Sequence, residues 1–253
     1  MRHLVLLGVI VAAATLCLGA SSEGSGDAKL YAAAVADTSR PAADTARDEN
    51  RKPAETLAFA RIKPGDAIAD WAGGTGYFSR LFLDVVGPKG HVYLVELDEE
   101  GKYFAKTAAE FQEFSKTHPN LSVVTGTAMN TLKFDRPLDV FFISQAYHDL
   151  KDKFLGPVDT AAFNKAVFAA LKPGGLYIVL DHAAAAGAAA DVTETLHRID
   201  PAVVKREVEA AGFKFESESK ILANASDPHT AIVFDKSIRG KTDQFIYRFR
   251  KPQ

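Results

Sequence analysis

Ala67-Ile68-Ala69-Asp70-Trp71-Ala72-Gly73-Gly74-Thr75-Gly76-Tyr77-Phe78 joins an apolar run to a second apolar segment through a turn with three glycines in four residues. The first run has the length and composition of a buried parallel strand, and the segment after the turn has helical spacing. Glycines there let the backbone curl tightly and approach a bound molecule, because a side chain would occupy the ligand's space. The helix that follows presents free N–H groups to the same place. Twenty residues past Gly76, His91-Val92-Tyr93-Leu94-Val95 forms a second apolar strand that ends in Glu96. A carboxylate at that spacing is suited to accept two hydrogen bonds from a ribose. The pair of strands therefore predicts a nucleoside-containing ligand.

Outward from this pair, strand-like segments at Val92–Val95, Leu121–Val124, Val140–Ser144 and Leu176–Leu180 alternate with helical stretches at Phe78–Val86, Tyr103–Phe114 and Thr160–Leu171. Such alternation predicts an α/β domain with a mostly parallel sheet covered on both faces. A helix over Pro201–Ala211 stops at Gly212, and strands at Phe213–Ile221 and Gln244–Arg250 follow in succession, as an antiparallel closing pair would. Phe104, Phe111 and Phe114 share a helical face and read as core, with Lys102, Lys106 and Glu110 as its solvated side. The alanine run 183–190 reads as a short loop or helix near the site.

Asp70 with Gly74-Thr75-Gly76, Glu96 at the end of the second strand, Leu171-Lys172-Pro173-Gly174-Gly175 before the fifth and the closing strand pair together resemble class I S-adenosylmethionine-dependent methyltransferases. The resemblance covers residues 47–253. Arg47-Asp48, Arg51-Lys52-Pro53, Tyr147-His148-Asp149, Asp181-His182, Leu196-His197-Arg198-Ile199-Asp200 and Ile238-Arg239-Gly240-Lys241-Thr242-Asp243 are similar to a bacterial group of predicted methyltransferases with signal peptides. This resemblance implies a Rossmann-like sheet of seven strands with an antiparallel terminal strand, and S-adenosylmethionine as cofactor. It implies that Asp70, Ala72, Gly73, Gly74 and Gly76 hold the amino-acid end of the donor, Glu96 its ribose and Thr127 the neighbourhood of its adenine. Two positions depart from the family pattern: Ala72 stands where the first glycine of acid-x-Gly-x-Gly-x-Gly falls, and Thr127 where an acid follows the third strand.

In the sheet order that the resemblance implies, strands four and five are neighbours. Tyr147, His148 and Asp149 then lie near Asp181 and His182, beside the methyl donor. Methyl transfer from a sulfonium is an in-line displacement, so alignment is the chief requirement, and an oxygen or nitrogen acceptor must also lose a proton. His148 and His182 are the candidate bases, since a neutral imidazole accepts a proton near pH 7. The bland alternative for each is a histidine that ties down a loop. A divalent metal is a competing use of His148, Asp149, Asp181 and His182, with His197 or Asp200 as further donors, although no metal is expected. Tyr147, Trp71 and Tyr77 read as packing.

Arg2 and His3 precede an apolar run from Leu4 to Leu18 that closes with Gly19-Ala20, the pattern of a secretory signal peptide over residues 1–20. This predicts a periplasmic or secreted protein with no stable membrane insertion after cleavage. An uncleaved anchor is the alternative, and the run is short for a span. Cys17, the sole cysteine of the 253 residues, falls inside that run, so the remainder can form no disulfide and no thiolate metal site. Residues 21–46, rich in Ala, Ser, Gly and Asp, predict a flexible linker with at most a short helix at Leu30–Ala36. The methyltransferase-like domain is expected over 47–253. With 30 basic against 32 acidic residues and no basic run interleaved with aromatics, nucleic acid is an unexpected partner, and a small-molecule or envelope acceptor is favoured. Because the donor is made in the cytoplasm, an exported non-enzymatic module that holds a nucleoside is the alternative function. A nicotinamide-dependent oxidoreductase is a third, on the near miss of Gly74–Ser79 to Gly-x-Gly-x-x-Gly.

Overall fold

The computed structural model describes residues 23–97, 101–125, 133–155 and 158–253, with the side chains of 23–26 and 101–105 left aside. Along the chain run α1 (Glu23–Val35), α2 (Ala42–Thr45), α3 (Asp48–Arg51), α4 (Pro53–Ala60), β1 (Ala67–Trp71), α5 (Tyr77–Val86), β2 (His91–Glu96), α6 (Gly101–Ser115), β3 (Leu121–Thr125) and β4 (Leu138–Ser144). They are followed by α7 (Thr160–Ala170), β5 (Leu171–His182), α8 (Val192–Leu196), α9 (Pro201–Ala210), β6 (Lys214–Ser219) and β7 (Gln244–Arg250). The seven strands form one sheet in the order β3-β2-β1-β4-β5-β7-β6. Pairing is parallel from β3 through β5, and β7 is antiparallel to both of its neighbours. The expected α/β, Rossmann-like, mostly parallel seven-stranded sheet is thus present. Its antiparallel strand is the last in sequence and inserts between β5 and β6 rather than forming the edge.

The central strands are continuous apolar runs because both faces are covered, and every residue of β1 and β2 is buried. Alternation sorts their side chains into two cores. One face carries Ile68, Val92, Leu94, Phe142 and Ile178 against Leu81, Phe82 and Val85 of α5. The other carries Trp71, Val95, Phe141, Tyr177 and Phe249 against Phe163 and Val167 of α7 and Val204 and Val208 of α9. β3 and β6 are the two edges, and the charged sequence Lys-Phe-Glu-Ser-Glu-Ser of β6 protects it from pairing with another chain.

The N-terminal segment corrects the expected linker. Over its described residues, 21–46 is helical in α1 and α2, and Tyr31 is buried with its hydroxyl donating to the Ile62 carbonyl at 2.8 Å. Arg40, also buried, donates to both carboxylate oxygens of Asp48 at 2.8 Å and to the Val35 carbonyl at 2.7 Å. Composition pointed to a tether because small residues dominate the segment, while the few that anchor it are scattered one per turn. Residues 1–20 lie outside the described residues, and no helix among those described is long and apolar enough to cross a membrane.

Candidate functional site

The parallel strands bring their carboxyl ends to one rim, where loops of β1, β2, β4 and β5 converge. At the first of these, Ala72, Gly74 and Gly76 have φ of 52°, 56° and 68°. Two of the three glycines, Gly73 and Gly76, answer to the protein's own packing. A Cβ on Gly73 would lie 2.3 Å from Leu94 Cδ1, and one on Gly76 would lie 2.0 Å from Phe111 Cζ. Phe111 of α6, read from sequence as core, is the ring that rests on the turn. Asp70 is buried and accepts a hydrogen bond from Ser79 Oγ at 2.6 Å. Burial pushes its carboxyl up to about 6 against the opposing pull of Ser79. Glu96 is buried at the end of β2, and since Trp71 pairs with Val95, the two acids stand on adjacent strand ends. Thr127, the remaining member of the expected cofactor set, lies outside the described residues.

A cavity of about 200 Å³ opens over the turn, lined by Asp70, Ala72, Gly73, Gly74 and Thr75 below and by Arg47 and Arg51 above. The two arginines belong to α3 and the residue before it, which fold back as a roof just after the N-terminal segment. Arg47 donates to Thr75 Oγ1 at 3.0 Å and to Asp44 at 2.6 Å, and Arg80 of α5 donates to the other Asp44 oxygen at 2.7 Å. Tyr77 is packing, as read, but polar packing: its hydroxyl donates to Asp48 at 2.6 Å while Arg51 stacks 4.7 Å from its ring centre. Burial, with Arg47 close by, lowers the Arg51 guanidinium to about 10, so it stays charged at neutral pH. One acid below and two cations above fit an amino-acid zwitterion, the end that S-adenosylmethionine would present here. Sequence reading quoted Arg47 and Arg51 without a role, because only the fold carries them across the turn.

From Arg51 a hydrogen-bonded relay crosses to the fifth strand. Arg51 donates to Gln145 Oε1 at 3.0 Å, Gln145 Nε2 to Gln244 Oε1 at 3.0 Å, and Gln244 Nε2 to Thr242 Oγ1 at 3.2 Å. Thr242 Oγ1 lies 2.7 Å from His182 Nδ1. A guanidinium only donates, so the two amides inherit their direction, and Thr242, which accepts from Gln244, has its O–H available for His182 Nδ1. Burial, first among several causes, depresses His182 to about 3, so it is neutral and carries its proton on Nε2. In that tautomer His182 offers an N–H at Nε2 in place of the free lone pair expected of a base.

His148 differs. Its Nδ1–H donates to Asp181 Oδ1 at 2.8 Å, and Asp181 also accepts the backbone N–H groups of His148 at 2.9 Å and His182 at 2.7 Å. Burial opposes the charged ring, but Asp181 and Asp149 outweigh it and hold His148 well above the usual histidine range. The ring is therefore already protonated near pH 7, which corrects its expected role as a free base. Its Nε2 faces Asp149 Oδ1 at 3.1 Å and His197 Nδ1 at 3.3 Å. Asp152, which sequence reading missed, completes this group. Asp200, by contrast, accepts from Ala202 N and Gly187 N, both at 2.8 Å, as the cap of α9. Tyr147 turns into the core, where it donates to Glu207 at 3.0 Å and accepts from Asn164 at 2.8 Å.

A second cavity of about 550 Å³ is lined by Gln145, His148, Asp149, His182 and His197 and walled by Phe154, Val233 and Phe234. Gln145 and Asp149 line both cavities, so the two adjoin.

The chain was compared with known proteins. Residues 50–194 match the model of the ubiE/COQ5 methyltransferase family. Over 127 residues the chain is 30% identical to the ubiquinone/menaquinone biosynthesis C-methyltransferase UbiE of Pasteurella multocida, covering 50% of this chain and 43% of that one. Over 126 residues it is 29% identical to the protein of the same name from Vibrio cholerae, covering 50% and 45%. The match thus spans less than half the length of these curated relatives. Among solved structures, a SAM-dependent methyltransferase from Aquifex aeolicus shares the fold with a TM-score of 0.56 at 19% identity, covering 90% of this chain and 98% of that one. An S-adenosylmethionine-dependent methyltransferase from Clostridium acetobutylicum does so with a TM-score of 0.51 at 12% identity, covering 79% and 89%. On the matched sequence and the seven-stranded sheet together, this chain belongs to the ubiE/COQ5 methyltransferase family.

Proposed function

We propose that the protein is an S-adenosylmethionine-dependent methyltransferase that acts on a small molecule with an ionisable ring hydroxyl on an apolar body. The observation that carries this reading is the shared wall of Gln145 and Asp149 between a zwitterion-sized cavity at the glycine turn and a histidine-lined, aromatic-walled cavity beside it. The donor's ammonium would meet Asp70, its carboxylate Arg47 and Arg51, and its ribose Glu96. The bound donor supplies an electrophilic methyl group. His182 Nε2–H would donate to the acceptor's oxygen and favour the anionic form as nucleophile, a preorganised dipole of the kind that stabilises charge in a water-poor site. Phe154, Val233 and Phe234 suit a ring, and the UbiE relatives carry names of quinone biosynthesis, which agrees with an acceptor of that chemistry.

Calorimetry with S-adenosylmethionine and S-adenosylhomocysteine tests the donor site, and formation of S-adenosylhomocysteine with phenolic and quinol acceptors tests turnover. Glu96→Ala should weaken donor binding by roughly 1–3 kcal/mol, the scale of hydrogen bonds to a charged acceptor. His182→Ala should abolish turnover and leave donor affinity intact. Donor binding without turnover on any acceptor would instead support a binding module. We further propose that residues 1–20 are a signal peptide and that the protein works outside the cytoplasm. An intact mass that begins after residue 20 is the expected result, and one that includes Met1 would reject cleavage.

A further inference from the structure

We propose that His148, Asp149, Asp152 and His197 form a binding site for one divalent first-row transition cation. Each offers a ligand atom, and the four atoms lie within 4.8 Å of one another. His148 Nε2 is 3.1 Å from Asp149 Oδ1 and 3.3 Å from His197 Nδ1, and His197 Nδ1 is 4.0 Å from both Asp149 Oδ1 and Asp152 Oδ2. An ion with ligands at about 2.1 Å separates them by about 3.4 Å when tetrahedral and by up to about 4.2 Å across an octahedron. The four distances given, 3.1 to 4.0 Å, lie close to those separations, so small movements of the side chains suffice.

Two independent features point at a cation. The first is the orientation of His148: Asp181, itself fully buried, takes the Nδ1–H and leaves Nε2 aimed at the cluster. This is the carboxylate–histidine arrangement that fixes a metal-bound imidazole. The second is Asp152. Its side chain is 2% exposed, and among the described residues no donor meets either oxygen with hydrogen-bond geometry. The neighbouring Thr193 hydroxyl exerts a lowering pull on the Asp152 carboxyl, weaker than the rise from burial, while its own donor contact is to the Ala190 carbonyl at 3.3 Å. A buried carboxylate left in this way is costly. Without a cation the two imidazoles can share a proton between Nε2 and Nδ1, which satisfies the nitrogens but leaves Asp152 unanswered. Two imidazoles with two carboxylates suit zinc, iron, cobalt or manganese better than calcium, and the adjoining cavity leaves room for water or a ligand to complete the shell. Asp149 also borders the glycine-turn cavity, so the ion would stand at the wall between the two. A hydroxyl bound to it would release its proton to solvent more readily, whatever the subsequent reaction.

The test reads binding alone. Full-length, tag-free protein is stripped with chelator, dialysed and titrated with Co²⁺, followed by the visible d–d bands, and with Zn²⁺ by calorimetry. One equivalent is expected to bind, with a raised melting temperature. Asp152→Asn and His197→Asn should each weaken Co²⁺ at least tenfold, Asn being suited to the left-handed backbone at His197, whereas Asp200→Asn should not. Asp152→Asn should also raise the melting temperature of the stripped protein, a gain that requires a folded variant. Absence of d–d bands and of heat at millimolar metal, or binding equal in wild type and both ligand variants, would overturn the site.

Discussion

Ala72 occupies a left-handed backbone position, φ 52°, at the point where the family pattern has glycine. A Cβ there costs about 1–2 kcal/mol, offset in part by the greater freedom glycine has when unfolded. Ala72→Gly is therefore expected to stabilise the fold by roughly 1 kcal/mol, a rise of about 2–4 °C in melting temperature for a chain of this size. Asp70 sets a pH dependence of definite sign. Its folded pKa of about 6 lies above the ordinary 3.8, so between these values the folded protein binds more protons than the unfolded one. Stability contributed by Asp70 consequently declines as pH rises through that window, while an ammonium-bearing donor binds better once the carboxylate has formed. Donor affinity measured by calorimetry should rise from pH 5 to pH 7 and level off, and Asp70→Asn should bind weakly with no such rise. Asp70, Glu96 and the glycines were legible from strand ends and spacing. The position of the proton on His182 was not, because it rests on the relay from Arg51 through Gln145, Gln244 and Thr242, residues far apart in sequence.

The elements divide in the same way. β1, β2, β4 and β5 are long apolar runs whose burial on both faces makes them readable, and α5 and α7 follow from helical spacing. α2 and α3 have four residues each, too few to show a period, and ion pairs hold them rather than an apolar stripe. Asp44 is the joint: it is buried and binds Arg47 above the glycine turn and Arg80 in α5. Asp44→Ala removes the one carboxylate shared by two partly exposed guanidinium groups, which keep only neutral acceptors. A loss of roughly 1–3 kcal/mol in stability is expected from denaturant unfolding, the scale of hydrogen bonds to a charged group, together with weaker donor binding as Arg47 drifts from Thr75.

Across the whole molecule, the first and last described segments both reach the rim: Arg47 and Arg51 near one end of the chain, Thr242 and Gln244 near the other. Removal of residues 1–22 should leave donor affinity unchanged, whereas removal of 1–46, which takes away the Arg40 and Asp44 partners of Asp48 and Arg47, should lower it at least tenfold while the sheet persists, as calorimetry and far-UV circular dichroism would report. A mostly parallel sheet with a closing pair was foreseeable from alternation, and its strand order only from the family resemblance, but the insertion of β7 between β5 and β6 is what delivers Gln244 to Gln145. That single amide contact makes the two cavities partners in one equilibrium. Any preference that a guest over Arg51 imposes on His182 must act with equal strength in reverse. Guests in the two cavities would then be felt by each other along this relay as well as across their common wall, and shortening Gln145 to Asn should weaken that mutual pull.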